Sequence, residues 1–363
     1  MKATVIVDMQ FGSCGKGLIA GYLAKRDCPD LVMHAWMPNS GHTYIDENGR
    51  KFVHCMIPNG VVSPNLEIIL IGPGSAIDID LLMQEAASVK DLLHGVIIGI
   101  HRNAAVVRPR HRAAEAGPMT AIGSTKKGCG AALIEKIGRD PQARITALSY
   151  KKMIQDYADD IGINVHILDD VEYSEYVHGA CKIQVEGAQG YSLGINSGFY
   201  PYTTSRECTP AQIASDTLLP LRYIERVVGA MRTYPIRVAN RYDSEGNMIG
   251  WSGPCYVDQR EISFEDINQE TELTTVTKLP RRVFTFSKEQ TEAACSLIQP
   301  DEIFLNFANY CKDAEELGEI IRVIEEAAAP YGRVAYIGTG PTDGDVAYFN
   351  DCSTDLYDFL EAL

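Results

Sequence analysis

The chain has 363 residues, of which 45% are hydrophobic and 22% are charged. This length and composition can bury a large core and are typical of a folded globular protein rather than a disordered one. The formal net charge of -15 at pH 7 opposes nucleic acids and anionic membrane surfaces as partners. Small anionic substrates are not excluded, because a local cluster of Lys, Arg and backbone N–H groups can bind them.

The ten cysteines are scattered along the chain and form neither a C-x-x-C pair nor a Cys/His cluster with zinc-ligand spacing. Such a distribution favours a reducing compartment. The first residues run directly into a strand pattern without an apolar signal core, and no apolar run approaches the length of a membrane span. We therefore expect a cytoplasmic protein that has no membrane partner.

Short β-branched runs alternate with helix-like segments along the chain. The clearest runs are residues 4–7, 68–71, 96–100, 181–185, 303–305 and 334–337. This alternation predicts an α/β fold with a largely parallel central sheet and flanking helices, and binding residues at the carboxyl ends of the strands. We expect one domain over residues 1–363. The stretch 241–272, rich in Asp, Glu and Gly, is expected to form a surface excursion.

The first strand is followed by a glycine-rich loop, D-M-Q-F-G-S-C-G-K-G-L at residues 8–18, and then by a helical segment at 19–25. Glycines allow backbone N–H groups to turn toward an anion, and the N-terminus of a helix favours negative charge. Lys16 can neutralise a phosphate. The spacing does not satisfy G-x-x-x-x-G-K-[ST], so this is not an ordinary Walker loop. The alternative is a glycine-rich turn with an exposed lysine.

Five further segments carry polar residues between glycines or prolines. They are N-S-G-H-T at 39–43, I-G-S-T-K-K-G-C-G at 122–130, E-G-A-Q-G at 186–190, Y-P-Y-T-T-S at 200–205 and T-G-P at 339–341. With Q-F-G-S-C-G-K-G at 10–17, they resemble, in the same order, the motifs of the adenylosuccinate synthetases. The resemblance covers nearly the whole chain. It implies the P-loop-related fold of that family and a ligation of L-aspartate to a purine nucleotide, driven by a nucleoside triphosphate.

The resemblance assigns the chemistry to four side chains. The family's histidine meets the transferred phosphate and the purine oxygen as general acid, a role that falls on His42 and suits imidazole near neutral pH. Gln189 is expected to reach the same oxygen, since an amide both donates and accepts hydrogen bonds. Lys16 and Ser13, which stands in place of the family's catalytic aspartate, complete the catalytic set. The expected cofactor is Mg²⁺, with Ser13 and the Gly41 carbonyl as oxygen ligands.

The resemblance also divides the binding residues among three substrates. The expected triphosphate ligands are Gly12, Ser13, Gly15, Lys16, Gly17, Gly41, His42, Thr43, Asn309, Gly340 and Pro341. The expected ligands of the nucleoside monophosphate are Ser13, Asn39, Ser124, Thr125, Arg139, Gln189 and Thr204. The expected aspartate ligands, whose hydroxyls and guanidinium suit carboxylates, are Thr274, Thr275, Val276, Thr277 and Arg281. In this family the arginine equivalent to Arg139 comes from the partner subunit, which implies a homodimer.

Three residues depart from the family pattern. Ser13 removes a base and a charged ligand, but its smaller side chain leaves room beside purine N1 for the 2-amino group of guanine. Leu279 replaces an arginine near the ribose hydroxyl, a change that suits 2′-deoxyribose. Asn309 replaces an aspartate that accepts from guanine, and its amide can also donate to adenine. These changes resemble the phage-type branch of the family, which makes a 2-aminoadenine precursor from dGMP, aspartate and ATP or dATP, in the host cytoplasm.

Two other functions stay open at the level of sequence. One is ordinary adenylosuccinate synthesis from IMP, aspartate and GTP. The other is a purine-nucleotide-binding regulator that lost turnover with the catalytic carboxylate, although retention of His42, Gln189 and the threonine-rich loop argues against it. The base that replaces the aspartate is not identified. Asp8 is near in the chain, but strand-end acids often cap a neighbouring helix, so water or the phosphate itself is the better expectation.

Overall fold

A computed structural model describes residues 2–146, 148–274 and 278–349. The helices in chain order are α1 (Lys16–Asp27), α2 (Ile79–Ser88), α3 (Pro109–Ala116), α4 (Cys129–Ile137), α5 (Leu148–Ile161), α6 (Asp170–Gly179), α7 (Pro210–Thr217), α8 (Lys288–Ile298) and α9 (Ala314–Ala328). The strands are β1 (Lys2–Asp8), β2 (Leu31–His34), β3 (His42–Ile45), β4 (Lys51–His54), β5 (Ile68–Ile71), β6 (Ala76–Ile77), β7 (Ile97–His101), β8 (Ala105–Val106), β9 (Asn164–Leu168), β10 (Lys182–Glu186), β11 (Ile224–Arg232), β12 (Ile236–Arg237), β13 (Arg241–Tyr242), β14 (Met248–Gly250), β15 (Glu261–Ile262), β16 (Arg282–Phe284), β17 (Glu302–Asn306), β18 (Arg333–Gly338) and β19 (Val346–Tyr348).

The main sheet has the order β19-β18-β17-β11-β1-β10-β2-β5-β7-β9 within the described residues. All neighbouring pairs in it are parallel except β18 and β19. Parallel strands are covered on both faces and therefore read as continuous apolar runs, as in β5, where every residue is buried. The predicted α/β fold with a largely parallel sheet is confirmed, and each predicted run overlaps a strand of this sheet.

Helices cover both faces of the sheet, and β1 shows how the sequence divides between them. Ile6 packs on the face covered by α1, α2 and α5, whereas Val5 and Val7 pack on the face covered by α6, α7, α8 and α9. This alternation follows from the two-residue period of a strand. Burying each such side chain contributes roughly 1.5–3 kcal/mol, so β1 is held at the centre of the sheet from both sides.

The expected surface excursion at 241–272 is only partly external. The hairpin of β13 and β14 has exposed residues at its tip, but Ser252 and Gln259 are buried, and both ends of the stretch return to the carboxyl edge of the main sheet. Along the described chain, no helix combines the length and the apolar character needed to span a membrane.

Candidate active site

Asp8, at the end of β1, organises the glycine-rich loop from inside. Its carboxylate is buried and accepts the backbone N–H groups of Gln10 at 3.0 Å, Gly12 at 3.1 Å and Cys14 at 3.1 Å. These three amides therefore point to a carboxylate of the protein, and binding of phosphate by the rest of the loop stays a prediction. With its oxygens occupied in this way, Asp8 shapes the loop.

Lys16 is the first residue of α1 and is buried against two acceptors. Its Nζ lies 3.1 Å from Oδ2 of Asp8 and 2.6 Å from the carbonyl oxygen of Gln189. The ammonium group is thus held between the glycine-rich loop and the E-G-A-Q-G segment. A cation fixed in this way can stabilise phosphate charge without first having to be ordered.

Close backbone packing requires glycine at two positions around this loop. Gly15 has φ 89°, and a Cβ there would lie 2.1 Å from Nδ2 of Asn306. A Cβ at Gly190 would lie 2.4 Å from the carbonyl oxygen of Gln10. Only glycine fits such approaches, so the loop is locked between the segments that follow β17 and β10.

His42 begins β3 and is almost fully buried, and its Nε2 lies 3.3 Å from Oγ of Ser40. Burial first, and then the nearby charges of Lys16, His34 and His54, hold the pKa of the imidazole well below 6.5. The ring is therefore neutral at pH 7 in the unliganded site. It can donate one N–H to an oxygen, but it does not stand ready as an imidazolium.

Glu186, the last residue of β10, anchors the segment that leads to Gln189. Its carboxylate accepts the backbone N–H groups of Asn59 at 3.1 Å and Gly60 at 2.6 Å, and burial raises its pKa to about 7. Gln189 itself has φ 63° and is half-buried. The segment is consequently fixed at both ends. Glu186 holds its start, and Lys16 contacts the carbonyl of Gln189 near its end.

Arg232, at the end of β11, joins three walls of the site. It is fully buried, its Nη1 donates to the carbonyl of Ser13 at 3.2 Å, and its guanidinium carbon lies 3.8 Å from the ring centroid of Phe307. Its Nη2 donates to Glu272. Burial alone would raise the pKa of Glu272, but Arg232 holds it below its usual range. The pair is therefore charged and fixes the relative position of the walls.

The threonine-rich loop is closed at its base. The backbone N–H of Thr274 donates to the carbonyl of Leu279 at 2.8 Å, and the N–H of Leu279 donates to Oγ1 of Thr274 at 3.0 Å. Burial lowers the pKa of Arg281 to about 10, so this guanidinium stays charged at pH 7. The other predicted aspartate ligands, Thr275, Val276 and Thr277, lie outside the described residues.

These walls enclose a cavity of about 460 Å³ at the carboxyl edge of the sheet, within the roughly 300–1,000 Å³ common for ligand pockets. The predicted residues that line it are Gly12, Ser13, Gly15, Lys16, Gly17, Asn39, Gly41, His42, Thr43, Thr125, Gln189, Thr274, Arg281, Asn309, Gly340 and Pro341. Residues predicted for all three substrates thus meet in one space. Their individual roles remain predictions.

Three predicted ligands of the monophosphate lie outside this lining. The carbonyl of Ser124 accepts from Arg241 at 3.2 Å, and the backbone N–H of Thr204 donates to the carbonyl of Leu193 at 2.8 Å. Arg241 and Leu193 both line the cavity, so Ser124 and Thr204 contact residues of the cavity wall without lining the cavity themselves. Arg139 is exposed after the end of α4 and lines a second cavity of about 530 Å³. Within its own chain it does not reach the first cavity.

Sequence reasoning missed part of the lining. The missed residues include Arg241, Glu272, Asn306, Phe307 and Tyr310. Asn306 and Phe307 directly follow a predicted strand, and this position could have indicated them. Arg241 and Glu272 stand at the two ends of the predicted excursion, and nothing in the local sequence shows that both ends return to the site.

The comparison with known families agrees with this geometry. The family model described as adenylosuccinate synthetase matches residues 5–163 and 154–322. The chain therefore belongs to the adenylosuccinate synthetase family, and it is a carbon–nitrogen ligase that uses nucleotides.

Individual relatives are more specific. The chain is 56% identical over 356 residues to the N6-succino-2-amino-2′-deoxyadenylate synthase of Salmonella phage PMBT28, covering 95% of this chain and 97% of that protein. It is 45% identical over 347 residues to the enzyme of the same name from Cyanophage S-2L, covering 95% of this chain and 92% of that one.

Two solved structures are similar to this chain over nearly its whole length. The succinoaminodeoxyadenylate synthetase of Cyanophage S-2L, bound to dGMP and to dATP as an energy donor, matches with a TM-score of 0.87 and 42% identity over 99% of this chain and 98% of that chain. The fully ligated adenylosuccinate synthetase of Plasmodium falciparum matches with a TM-score of 0.76 over 96% of this chain and 100% of that chain. At 20% identity, the second similarity supports the fold alone.

Proposed function

We propose that this enzyme condenses L-aspartate with C6 of dGMP, at the expense of ATP or dATP. The products are N6-succino-2-amino-2′-deoxyadenylate, ADP or dADP, and phosphate. The observation that carries the proposal is Ser13, which is exposed and lines the cavity together with Lys16, His42 and Gln189. A small hydroxyl at this position leaves room for the 2-amino group that distinguishes guanine from hypoxanthine.

The charges around Ser13 support the same substrate. Among the described residues that line the cavity, Glu272 is the only carboxylate, and it is bound by Arg232. Asp8 is occupied by loop amides and by Lys16. No free carboxylate of the described chain is therefore in place to abstract the N1 proton. We infer that this proton passes to water or to the transferred phosphate.

The reaction has two steps in this proposal. The γ-phosphoryl group of the donor moves to the purine O6, which converts a poor leaving group into phosphate. The amine of aspartate then attacks C6, the C6–O bond breaks, phosphate leaves with the electron pair, and one amine proton passes to the departing phosphate or to water. Lys16 stabilises the transferred charge, while neutral His42 and the Gln189 amide hydrogen-bond to the purine oxygen.

The family resemblance implies Mg²⁺, and the chain fits an ion that arrives with the triphosphate. Among the described residues, no group of three His, Cys, Asp or Glu side chains could hold a metal by itself. Mg²⁺ commonly keeps several waters and takes one or two protein ligands plus substrate phosphates. Ser13 and Gly41 line the same cavity and would supply neutral oxygens. When bound, the ion would neutralise and orient the phosphates.

Asn309 favours the adenine donor, and Leu279 in the threonine-rich loop favours the deoxy substrate. Asn309 lines the cavity, and its amide can donate to the ring nitrogen and accept from the amino group of adenine. Leu279 closes the threonine-rich loop through backbone bonds and presents no cation to a ribose hydroxyl. We propose ATP or dATP as donor on this basis.

The direct test offers dGMP, GMP and IMP separately, with aspartate, Mg²⁺ and either ATP, dATP or GTP, and identifies products by mass spectrometry. We expect a succinylated product from dGMP with ATP or dATP, and little from IMP with GTP. Turnover of IMP with GTP alone would assign the chain to ordinary adenylosuccinate synthesis. Binding of dGMP without any aspartate-dependent triphosphate hydrolysis would assign it to a regulator.

A further inference from the structure

We propose that Trp36 is a positioning residue that holds the His42 imidazole in place and ties it to the segment carrying Gln189. This inference rests on the proposed function, because His42 and Gln189 are the two side chains that we place on the purine oxygen. Trp36 follows β2 and lies outside the motifs by which the sequence resembles its family.

The indole makes two direct contacts of different kinds. Its ring lies face to face with the His42 imidazole, with centroids 3.9 Å apart and planes inclined by 5°. Its Nε1 donates to the carbonyl of Glu186 at 2.8 Å. Trp36 is 1% exposed, and its backbone N–H donates to Nδ1 of His34 at 3.0 Å. Ring and backbone are thus both fixed.

This geometry joins two walls of the active site. Glu186 ends β10 and begins the segment that places Gln189, and His42 begins β3, which belongs to a separate two-stranded sheet. The imidazole can rotate about its side-chain bonds, and a parallel stack at van der Waals distance restricts that rotation. Because reacting groups displaced by about 1 Å can cost roughly 10²-fold in rate, a rigid link between these walls has catalytic value.

The same stack removes water from one face of the imidazole. Trp36 and His42 are both almost fully buried. Without the indole, solvent would reach this face of the ring, and the imidazole would lose the surface that limits its rotation.

Two substitutions separate the ring from its hydrogen bond. Trp36→Phe keeps an aromatic face but loses the N–H, and Trp36→Leu keeps apolar volume but loses both. Trp251→Phe is the matched control, because Trp251 is the second tryptophan of the chain and makes an edge-to-face contact with Tyr202 outside the lining of the cavity. Steady-state kinetics with dGMP, aspartate and dATP, and the NMR chemical shifts of the His42 ring protons at one fixed pH, are measured on each folded variant.

We expect Trp36→Leu to lower kcat by about tenfold or more while KM for each substrate changes less than about threefold, because positioning acts on the reaction step. Trp36→Phe should recover part of kcat, because it keeps the aromatic stack and loses only the hydrogen bond to the Glu186 carbonyl. The ring-current shift of the His42 protons should be lost in the Leu variant and largely kept in the Phe and Trp251→Phe variants. The proposal would be overturned by an unchanged kcat in Trp36→Leu, by equal losses in the Phe and Leu variants, or by a His42 ring-current shift that is unchanged in Trp36→Leu.

The two kinds of failure can be told apart. If the wild-type enzyme gives no succinylated product from dGMP, the proposed function fails. The NMR measurement uses no substrate, so it tests the contact between Trp36 and His42 even in that case. If the product forms and only the Trp36 variants behave like wild type, the proposed function stands and the positioning role falls.

Discussion

The inner wall and the outer rim of the cavity are built in different ways. On the inner wall, Asp8, Lys16 and His42 are buried and bonded to backbone groups or packed on rings. On the rim, Ser13 and Asn309 are exposed to the cavity. Two of the three departures from the family pattern, Ser13 and Asn309, lie on the rim, where a side chain can change without repacking a core. From this difference we propose that the inner wall carries most of the chemistry and that the rim selects the substrates.

The largest effect on product formation should come from removing the charge of Lys16 on the inner wall. Lys16→Gln keeps a hydrogen-bond donor for Asp8 but removes the charge, so we expect product formation to fall by about 10³-fold because phosphoryl charge is no longer stabilised. The rate is measured with saturating dGMP, aspartate and dATP. Lys288→Gln, at an exposed lysine on α8, is the control. A loss below tenfold would contradict the role of Lys16.

A substitution of Ser13, on the rim, should change the selectivity between substrates more than it changes the stability of the fold. Ser13→Asp restores a larger, charged side chain beside purine N1, and we expect kcat/KM for dGMP relative to IMP to fall by about 10²-fold. Ser13→Ala is the matched control, since it removes the hydroxyl and keeps the room. Competition between dGMP and IMP, read by mass spectrometry, gives the ratio. Unchanged selectivity in Ser13→Asp would mean that another residue reads the 2-amino group.

We also expect a second subunit to complete the rim of the cavity. Arg139 does not reach the cavity of its own chain, and we propose that it reaches the monophosphate in a partner's cavity. Arg139→Ala should raise KM for dGMP by about tenfold through loss of a charged hydrogen bond. With dGMP well below KM, an equal mixture of Arg139→Ala and inactive Lys16→Gln should reach about a quarter of wild-type activity, compared with about a tenth for Arg139→Ala alone, because random pairing gives one intact site in half of the dimers.

That mixing result has a clear control. Subunits mixed under conditions that prevent exchange should show no more than the residual activity of Arg139→Ala. If exchanged mixtures give no more activity than the separate variants, Arg139 does not act across an interface.

The inner wall should also limit stability in acid. Burial lowers the pKa of His34 to about 3 and of His54 to about 4, and it holds that of His42 well below 6.5. Below about pH 6.5 these histidines bind protons in the unfolded chain but not in the folded chain, so the free energy of unfolding falls as the pH falls. Each histidine should contribute about 1.4 kcal/mol per pH unit, and Glu186, whose pKa is raised to about 7, should offset about one of them because the folded chain binds its proton first. Urea unfolding at pH 6 and pH 5 tests this; equal free energies of unfolding would contradict it.

Local pattern was sufficient for most of the sheet and much of the cavity. The run at 68–71 coincides with β5, because a strand buried on both faces is apolar throughout. β2, β9 and β11 were missed, since β2 ends in a histidine, β9 alternates with polar residues and β11 contains Glu, Arg and Gly. Among the lining residues, Lys16 followed from the glycine-rich loop after β1, whereas His42 and Gln189 followed from the resemblance of their motifs to those of the family.

The sequence by itself determined the α/β class, the order of the motifs and the three departures, because these depend on neighbouring residues and on local spacing. Only the tertiary structure decided that Asp8 fills the loop with its own carboxylate and that Arg232 binds Glu272. It also decided that Trp36 stacks on His42. Such contacts join residues from different strands, and their energies arise from burial and close approach, which no local pattern records.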